Sequence, residues 1–167
     1  MLRFLHAADF HLDSPFAALP ARQAAARRRG SRETLTRLAD YVNTHGIDLV
    51  LLAGDLFDSA DAFRETGEQL ARALGQMQAR VFIAPGNHDY YGPGSPWLSV
   101  PWPENVHVFR ENAMTAAELP EWNLVIHGAA FTGPEQAESL LAGFAAPETL
   151  LYSPELKFYS NRVKMDT

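Results

Sequence analysis

Apolar positions along the chain alternate between short runs and helical stripes. Residues 2–8 (LRFLHAA) form a run that predicts a buried strand, stopped by the polar cluster Asp9, His11, Asp13, Ser14 and Pro15. Residues 21–45 predict a helix. Leu35, Leu38 and Val42 recur at helical spacing in its C-terminal half, and Gly46 stands where a cap is expected. Residues 48–53 (DLVLLA) are continuously apolar after Asp48 and bounded by Gly54, which suits a strand buried on both faces of a parallel sheet. Leu70, Leu74 and Met77 mark a second helix within residues 61–78, and RVFIA at 80–84 predicts a third strand, ended by Pro85 and Gly86. Strand–helix–strand–helix–strand argues for parallel strands joined by right-handed helical crossovers.

From residue 91 the texture changes. YYGPGSPWLSVPWP is rich in Gly, Pro and aromatics and predicts an ordered surface loop. Residues 105–109 (NVHVF) and 122–127 (WNLVIH) read as two further strands and residues 134–143 as a helix. The stretch 153–167 has no period, and the chain shows neither internal repeats nor low-complexity blocks.

Composition narrows the function classes. A chain of 167 residues with 47% hydrophobic and 20% charged residues is one ordinary globular domain. It has no cysteine, which excludes disulfide scaffolds, thiolate zinc sites and cysteine nucleophiles. With 14 Lys and Arg against 20 Asp and Glu the formal charge is −6. That excludes attachment to nucleic acid by bulk charge, yet leaves room for a nucleic-acid enzyme whose metal ions supply the local positive charge. No stretch approaches ~18 uninterrupted apolar residues, so no membrane span is expected. The N-terminus makes a poor signal peptide, and the expected compartment is the cytoplasm.

The chemistry lies where the predicted strands end. Asp9-Phe10-His11 follows the first, Gly54-Asp55 the second and Gly86-Asn87-His88-Asp89 the third. Open parallel sheets bind ligands outside the carboxyl ends of their strands. In an extended segment Asp9 and His11, two residues apart, would point the same way and grip one ion. Asp55 offers two oxygens and Asn87 a neutral carbonyl. Mixed carboxylate, amide and imidazole donors suit Mn²⁺, Fe or Zn²⁺ better than Ca²⁺.

D-x-H, then G-D, then G-N-H-D in this order resembles the calcineurin-like metallophosphoesterase superfamily. FLHAADFHLDSPF, LLAGDLFD and APGNHDYYGPGSPW…WPENVHVF are similar to its DNA-repair exonuclease branch, the SbcD-like nuclease subunits, over residues 1–145. The resemblance implies an α/β fold: a metallophosphoesterase-type β-sandwich flanked by helices, apparently truncated, with a βαβαβ parallel core at the N-terminus. It implies two divalent ions, Mn²⁺ with Fe or Zn as alternatives. Asp9 and His11 would bind the first, Asp55 would bridge both and Asn87 would bind the second. His88 would sit by the scissile phosphate, and Asp89 would orient His88. DNA would be the substrate and an ATPase subunit a partner.

The sequence departs from the family in two places. A later strand-end His and a Gly-His-x-His, which supply further ligands, are missing. His127, in LVIHGAAF, superficially matches the strand-end ligand, but the following GAAFTGPE resembles an earlier strand and turn. Residues 1–152 therefore read as the incomplete N-terminal part of the domain and 153–167 as an atypical tail. One sheet face would be left partly uncovered, a surface for self-association. Two alternatives stay open: a catalytically inactive relative acting as an interaction module, and a phosphoesterase for a small phosphorylated substrate. A flavodoxin-like nucleotide binder fails, because no Gly-rich phosphate loop follows the first strand.

Other polar and aromatic positions have plain readings beside functional ones. Arg22, Arg27, Arg28, Arg29 and Arg32 would meet a nucleic-acid backbone, although such a run is usually a solvated helix face. Tyr90, Tyr91, Trp97 and Trp102 would stack on bases, although aromatics in a Pro/Gly loop more often pin it to the body. His6 reads as a core or supporting residue, and His45 as a helix-end imidazole that meets the dipole.

Overall fold

The structure is a computed structural model and describes residues 1–145. Four parallel strands, β1 (Phe4–Ala7), β2 (Leu49–Ala53), β3 (Arg80–Ala84) and β4 (Val106–Val108), lie side by side in chain order. They are connected through α1 (Ala21–Thr44), α2 (Arg64–Gly75) and the one-turn α3 (Pro96–Ser99). An antiparallel hairpin, β5 (Thr115–Leu119) and β6 (Leu124–Gly128), follows.

Side-chain alternation sorts the sheet into two faces. Val50, Leu52, Val81, Ile83 and Val108 point to one face, where Leu35, Ala39 and Val42 of α1 and Leu70, Ala73 and Leu74 of α2 complete a single core. Sequential strand order with crossovers of one hand puts all helices on that face. Leu49, Phe82 and Phe109 point to the other, where the hairpin covers them with Leu119, Ala117, Leu124 and Ile126. The result is helices, parallel sheet and hairpin in three layers, the expected α/β arrangement. Toward β1 the hairpin side of the sheet is less covered: Phe4 and Leu51 are half-buried and His6 is exposed.

Gly128 shows how tightly the hairpin seats. A Cβ at this position would run into the Phe109 ring, so a side chain there and the aromatic cannot share the space.

Two expectations differ from the structure. β5 went unpredicted, because Thr-Ala-Ala-Glu-Leu has weak strand propensity; its pairing with β6 and the packing of Ala117 and Leu119 on the sheet make it a strand. Residues 134–143 form bends and turns rather than a helix. A segment of that length is marginal as a helix without packing, and Gly143, at φ 71°, breaks it. The boundary at 152 and the stretch 153–167 lie outside the described residues.

His107 on β4 packs its ring against Phe109 (centroids 4.8 Å) and Phe82 (5.5 Å). Partial burial, with the charges of Arg110 and Arg80, lowers its pKa below the ordinary 6.5. The unfolded chain then binds this proton more readily than the folded one. We expect this histidine to cost stability as pH falls from about 6.5 toward its folded pKa, and not above. A His107 imidazole titrating at or above 6.5 by NMR would refute this.

Candidate metal centre

The site forms where two strand-end loops lie side by side. After β1 the chain does not continue extended. Asp9, His11 and Asp13 adopt φ of 61°, 44° and 66°, Phe16 follows at 49°, and Asp55 after β2 sits at 54°. Non-glycine residues in the left-handed region cost on the order of 1–3 kcal/mol each and persist only where surroundings enforce them. Here backbone bonds between the loops do so. Asp9 N donates to Gly54 O (3.1 Å), His11 N to Asp55 O (3.0 Å), Leu12 N to Leu56 O (2.9 Å) and Asp58 N to Leu12 O (2.9 Å). Leu12 and Phe57 bridge in parallel, and both are buried. Asp9 and His11 thus converge through left-handed backbone, not through the extended alternation expected from their spacing.

The third loop reaches the other two through glycine. Gly54 has φ 81°, and a Cβ on it would lie 3.0 Å from Gly86 Cα. A Cβ on Gly86 would collide with Asp55, its carboxylate and its backbone nitrogen. The glycines of G-D and G-N-H-D therefore let two backbones touch and leave Asp55 its place.

Ligand atoms gather in two overlapping groups. Asp9, His11 and Asp55 offer donor atoms within 4.8 Å of one another, and so do His11, Asp58 and His88. His11 Nε2 lies 3.9 Å from Asp9 Oδ1. Asp55 is buried, and its Oδ1 accepts the His88 backbone N–H at 3.1 Å. That bond fixes the third loop beside the first two. Asn87, the preceding residue, is exposed there. Two carboxylates and an imidazole, with a second imidazole close by, are a donor set for a borderline divalent cation, and the overlap suits a binuclear centre.

Sequence reasoning missed Asp58, which organises both histidines. Its Oδ1 lies 3.1 Å from His11 Nδ1, and its backbone oxygen lies 3.1 Å from His88 Nδ1. A carbonyl oxygen only accepts, so the proton of neutral His88 sits on Nδ1; the carboxylate likewise draws the His11 proton to Nδ1. Each Nε2 is then left with its lone pair. The two rings meet edge-on, centroids 5.0 Å apart. The signal in sequence was only a second acidic residue in Gly-Asp-Leu-Phe-Asp, which reads as an ordinary turn former.

The role expected of Asp89 is corrected. Its carboxylate is turned inward, away from duty on the His88 ring. Oδ1 accepts Gly86 N (2.7 Å) and Asp55 N (3.2 Å), and Oδ2 accepts Leu56 N (2.8 Å) and Phe57 N (3.2 Å). Those amides have no strand to pair with, and Asp89 is their acceptor. Burial pushes its pKa up to about 6. The Gly86, Phe57 and Leu56 N–H groups pull it down, and the Asp55 charge raises it.

Trp97, Trp102, His45 and His127 have plain roles. Trp97 is buried against Phe57, with its indole N–H on Asp89 O, and Trp102 stacks on it at 5.1 Å. These aromatics pin the loop. The His45 ring stacks on Tyr41 at 3.9 Å. His127, on β6, has its ring 5.0 Å from Phe144 and belongs to neither ligand group.

Two substitutions test this geometry. Gly86→Ala should displace Asp55 and weaken Mn²⁺ binding about tenfold or more by calorimetric titration; wild-type affinity would show that the close approach is irrelevant. Asp58→Ala should cost on the order of 10–100-fold in Mn²⁺ affinity, as loss of an imidazole's supporting partner generally does. Asp58→Asn, which keeps an oxygen toward His11, should lose less. Equal losses in the two variants would argue against ring orientation.

Comparison with known proteins agrees with this geometry. The profile of the family described as calcineurin-like phosphoesterase matches residues 2–145. The chain is 36% identical over 114 residues to the uncharacterized metallophosphoesterase YhaO of Bacillus subtilis, a match covering 65% of this chain and 28% of that protein. It is 40% identical over 62 residues to a zebrafish (Danio rerio) transmembrane protein with metallophosphoesterase domain, covering 36% of this chain and 14% of the relative. The matches thus take in a quarter or so of one relative and less of the other. Among the described residues, no helix is long and apolar enough to cross a membrane.

Proposed function

Because the chain belongs to the calcineurin-like phosphoesterase family, we propose that it supplies metal ligands of a phosphodiesterase centre that hydrolyses DNA in the manner of an exonuclease. The observation that supports hydrolysis is the convergence of Asp9, His11 and Asp55 from two strand ends to within 4.8 Å. The donors present fit two divalent ions, Mn²⁺ first among them. Asp9 and His11 would hold one, Asp55 would stand between, and Asn87 would contribute to the second. Such ions, when bound, activate water and neutralise phosphate charge.

The chain's own side chains do the rest. His88, with Nδ1 committed to the Asp58 carbonyl, presents Nε2 to hand a proton to the departing oxygen or to meet phosphate charge. Asp89 holds the loops after β2 and β3 in register, through backbone amides. DNA as the substrate rests on the resemblance of FLHAADFHLDSPF and APGNHDYYGPGSPW to the exonuclease branch. A small phosphorylated substrate is the second reading, consistent with the names of both relatives, which state a metallophosphoesterase and no particular substrate.

Turnover of bis-p-nitrophenyl phosphate with Mn²⁺ tests the reaction class. We expect hydrolysis that is abolished by Asp55→Asn and by chelation. His88→Ala should retain Mn²⁺ and lose on the order of 10²–10⁴-fold in kcat. Hydrolysis indifferent to Asp55→Asn would place the reaction outside this centre, and none with Mn²⁺, Fe²⁺ or Zn²⁺ would leave the chain a non-catalytic interaction module.

A further inference from the structure

The charge of the chain is unevenly placed. The whole carries −6, yet α1 holds six of the 14 basic residues, Arg22, Arg27, Arg28, Arg29, Arg32 and Arg37, against only Glu33 and Asp40. Two of the six are structural. Arg32 Nη2 binds Asp13 Oδ1 at 2.7 Å, and Arg28 Nη1 donates to Pro15 O at 3.1 Å. Both bonds tie the loop after β1 onto the helix. Among the described residues, Arg22, Arg27, Arg29 and Arg37 form no ion pair with a carboxylate.

Between that loop and the helix lies an open cavity of about 940 Å³. Phe16 and Leu19 form one wall; Gln23, Arg27, Gly30 and Arg37 lie along the helix wall. Among the described residues, no carboxylate lines it. Phe16 is held at φ 49°, an unfavourable conformation for an aromatic, and it faces this cavity. Phe16 lies five residues beyond His11, so the groove begins at most ~17 Å from that ligand, about five base steps of duplex. Unpaired guanidinium groups, an aromatic face and an absence of acids form a lining complementary to a polyanion with stacking bases.

We propose that the groove between residues 14–19 and α1 is the track along which a DNA strand runs away from the metal centre, with Arg27 and Arg37 on its phosphates. The proposal rests on the reading of the metal centre as acting on DNA. It explains how an acidic chain would hold a polyanion: by a local cationic stripe continuous with the cation site, not by net charge.

Binding of a fluorescein-labelled DNA oligonucleotide, followed by anisotropy in EDTA, tests the groove without the metals. We expect salt-dependent binding by the wild-type chain. Arg27→Glu with Arg37→Glu should weaken it at least tenfold and flatten the slope of log K against log salt by about 1.5. Arg64→Glu with Arg72→Glu, an equal charge change on α2 outside the groove, should change affinity far less. Gly30→Glu supplies a variant secure in its fold: a Cβ there meets nothing within 4 Å, and glycine is the poorer helix former. It should hold or raise the melting temperature while weakening DNA binding at least fivefold. No binding by the wild type, or equal binding by all variants, overturns the proposal. If the groove variants lose DNA while the wild type fails to hydrolyse bis-p-nitrophenyl phosphate, the track stands and the hydrolytic reading falls.

Discussion

One buried carboxylate joins the ends of β2 and β3. Asp89 accepts four backbone N–H groups, three from the loop after β2 and one from its own loop after β3. Without an acceptor there, those amides would be buried unpaired, at about 1–3 kcal/mol apiece. Its position also brings the His88 amide onto Asp55 and the indole of Trp97 beneath the turn. The geometry of the candidate centre therefore depends on a side chain that faces away from it. This is why a carboxylate raised by burial to about 6 is retained against its desolvation cost.

The ligand loops are strained and zipped at once. Left-handed Asp9, His11, Asp13 and Asp55 aim side chains in directions that extended backbone would not allow. The opposing cost is met by the ladder from Asp9–Gly54 to Asp58–Leu12 and by the burial of Leu12 and Phe57. Strain gathered at a predicted binding site, with a rigid body beneath it, is the usual form of a preorganised centre. Asp13 extends the same rigidity outward: its carboxylate takes Arg32 Nη2, Thr66 Oγ1 and Phe63 N, and so fastens the loop to both α1 and α2.

Electrostatics give the site a sense of direction. Asp9, Asp55 and Asp58 concentrate negative charge at the strand ends, which favours divalent cations. Arg27 and Arg37 of α1 line a groove with Phe16 and Leu19, which belong to the same loop as Asp9 and His11. Cation site and cationic groove are adjacent although the chain as a whole is acidic, because a local field is decided by the nearest charges and screened within about 10 Å in ordinary salt.

What the sequence determined by itself was the periodic part and the identity of the donors. The continuous run 48–53, the stripe Leu70, Leu74 and Met77, and RVFIA at 80–84 specify a parallel sheet under helices, because each buries a face whose spacing is local information. Asp9, His11, Asp55 and His88 were legible because carboxylates and imidazoles directly after apolar strands have few structural uses in common. Tertiary structure decided the rest. β5 exists through its partner β6; the left-handed turns exist through bonds between residues more than forty apart in the chain. Asp58 and Asp89 were given their parts by neighbours that no spacing rule connects: Asp58 by the two imidazoles that converge on it, Asp89 by amides left without a strand. A side chain's type is written in the sequence, but which orphaned groups surround it is a property of packing alone.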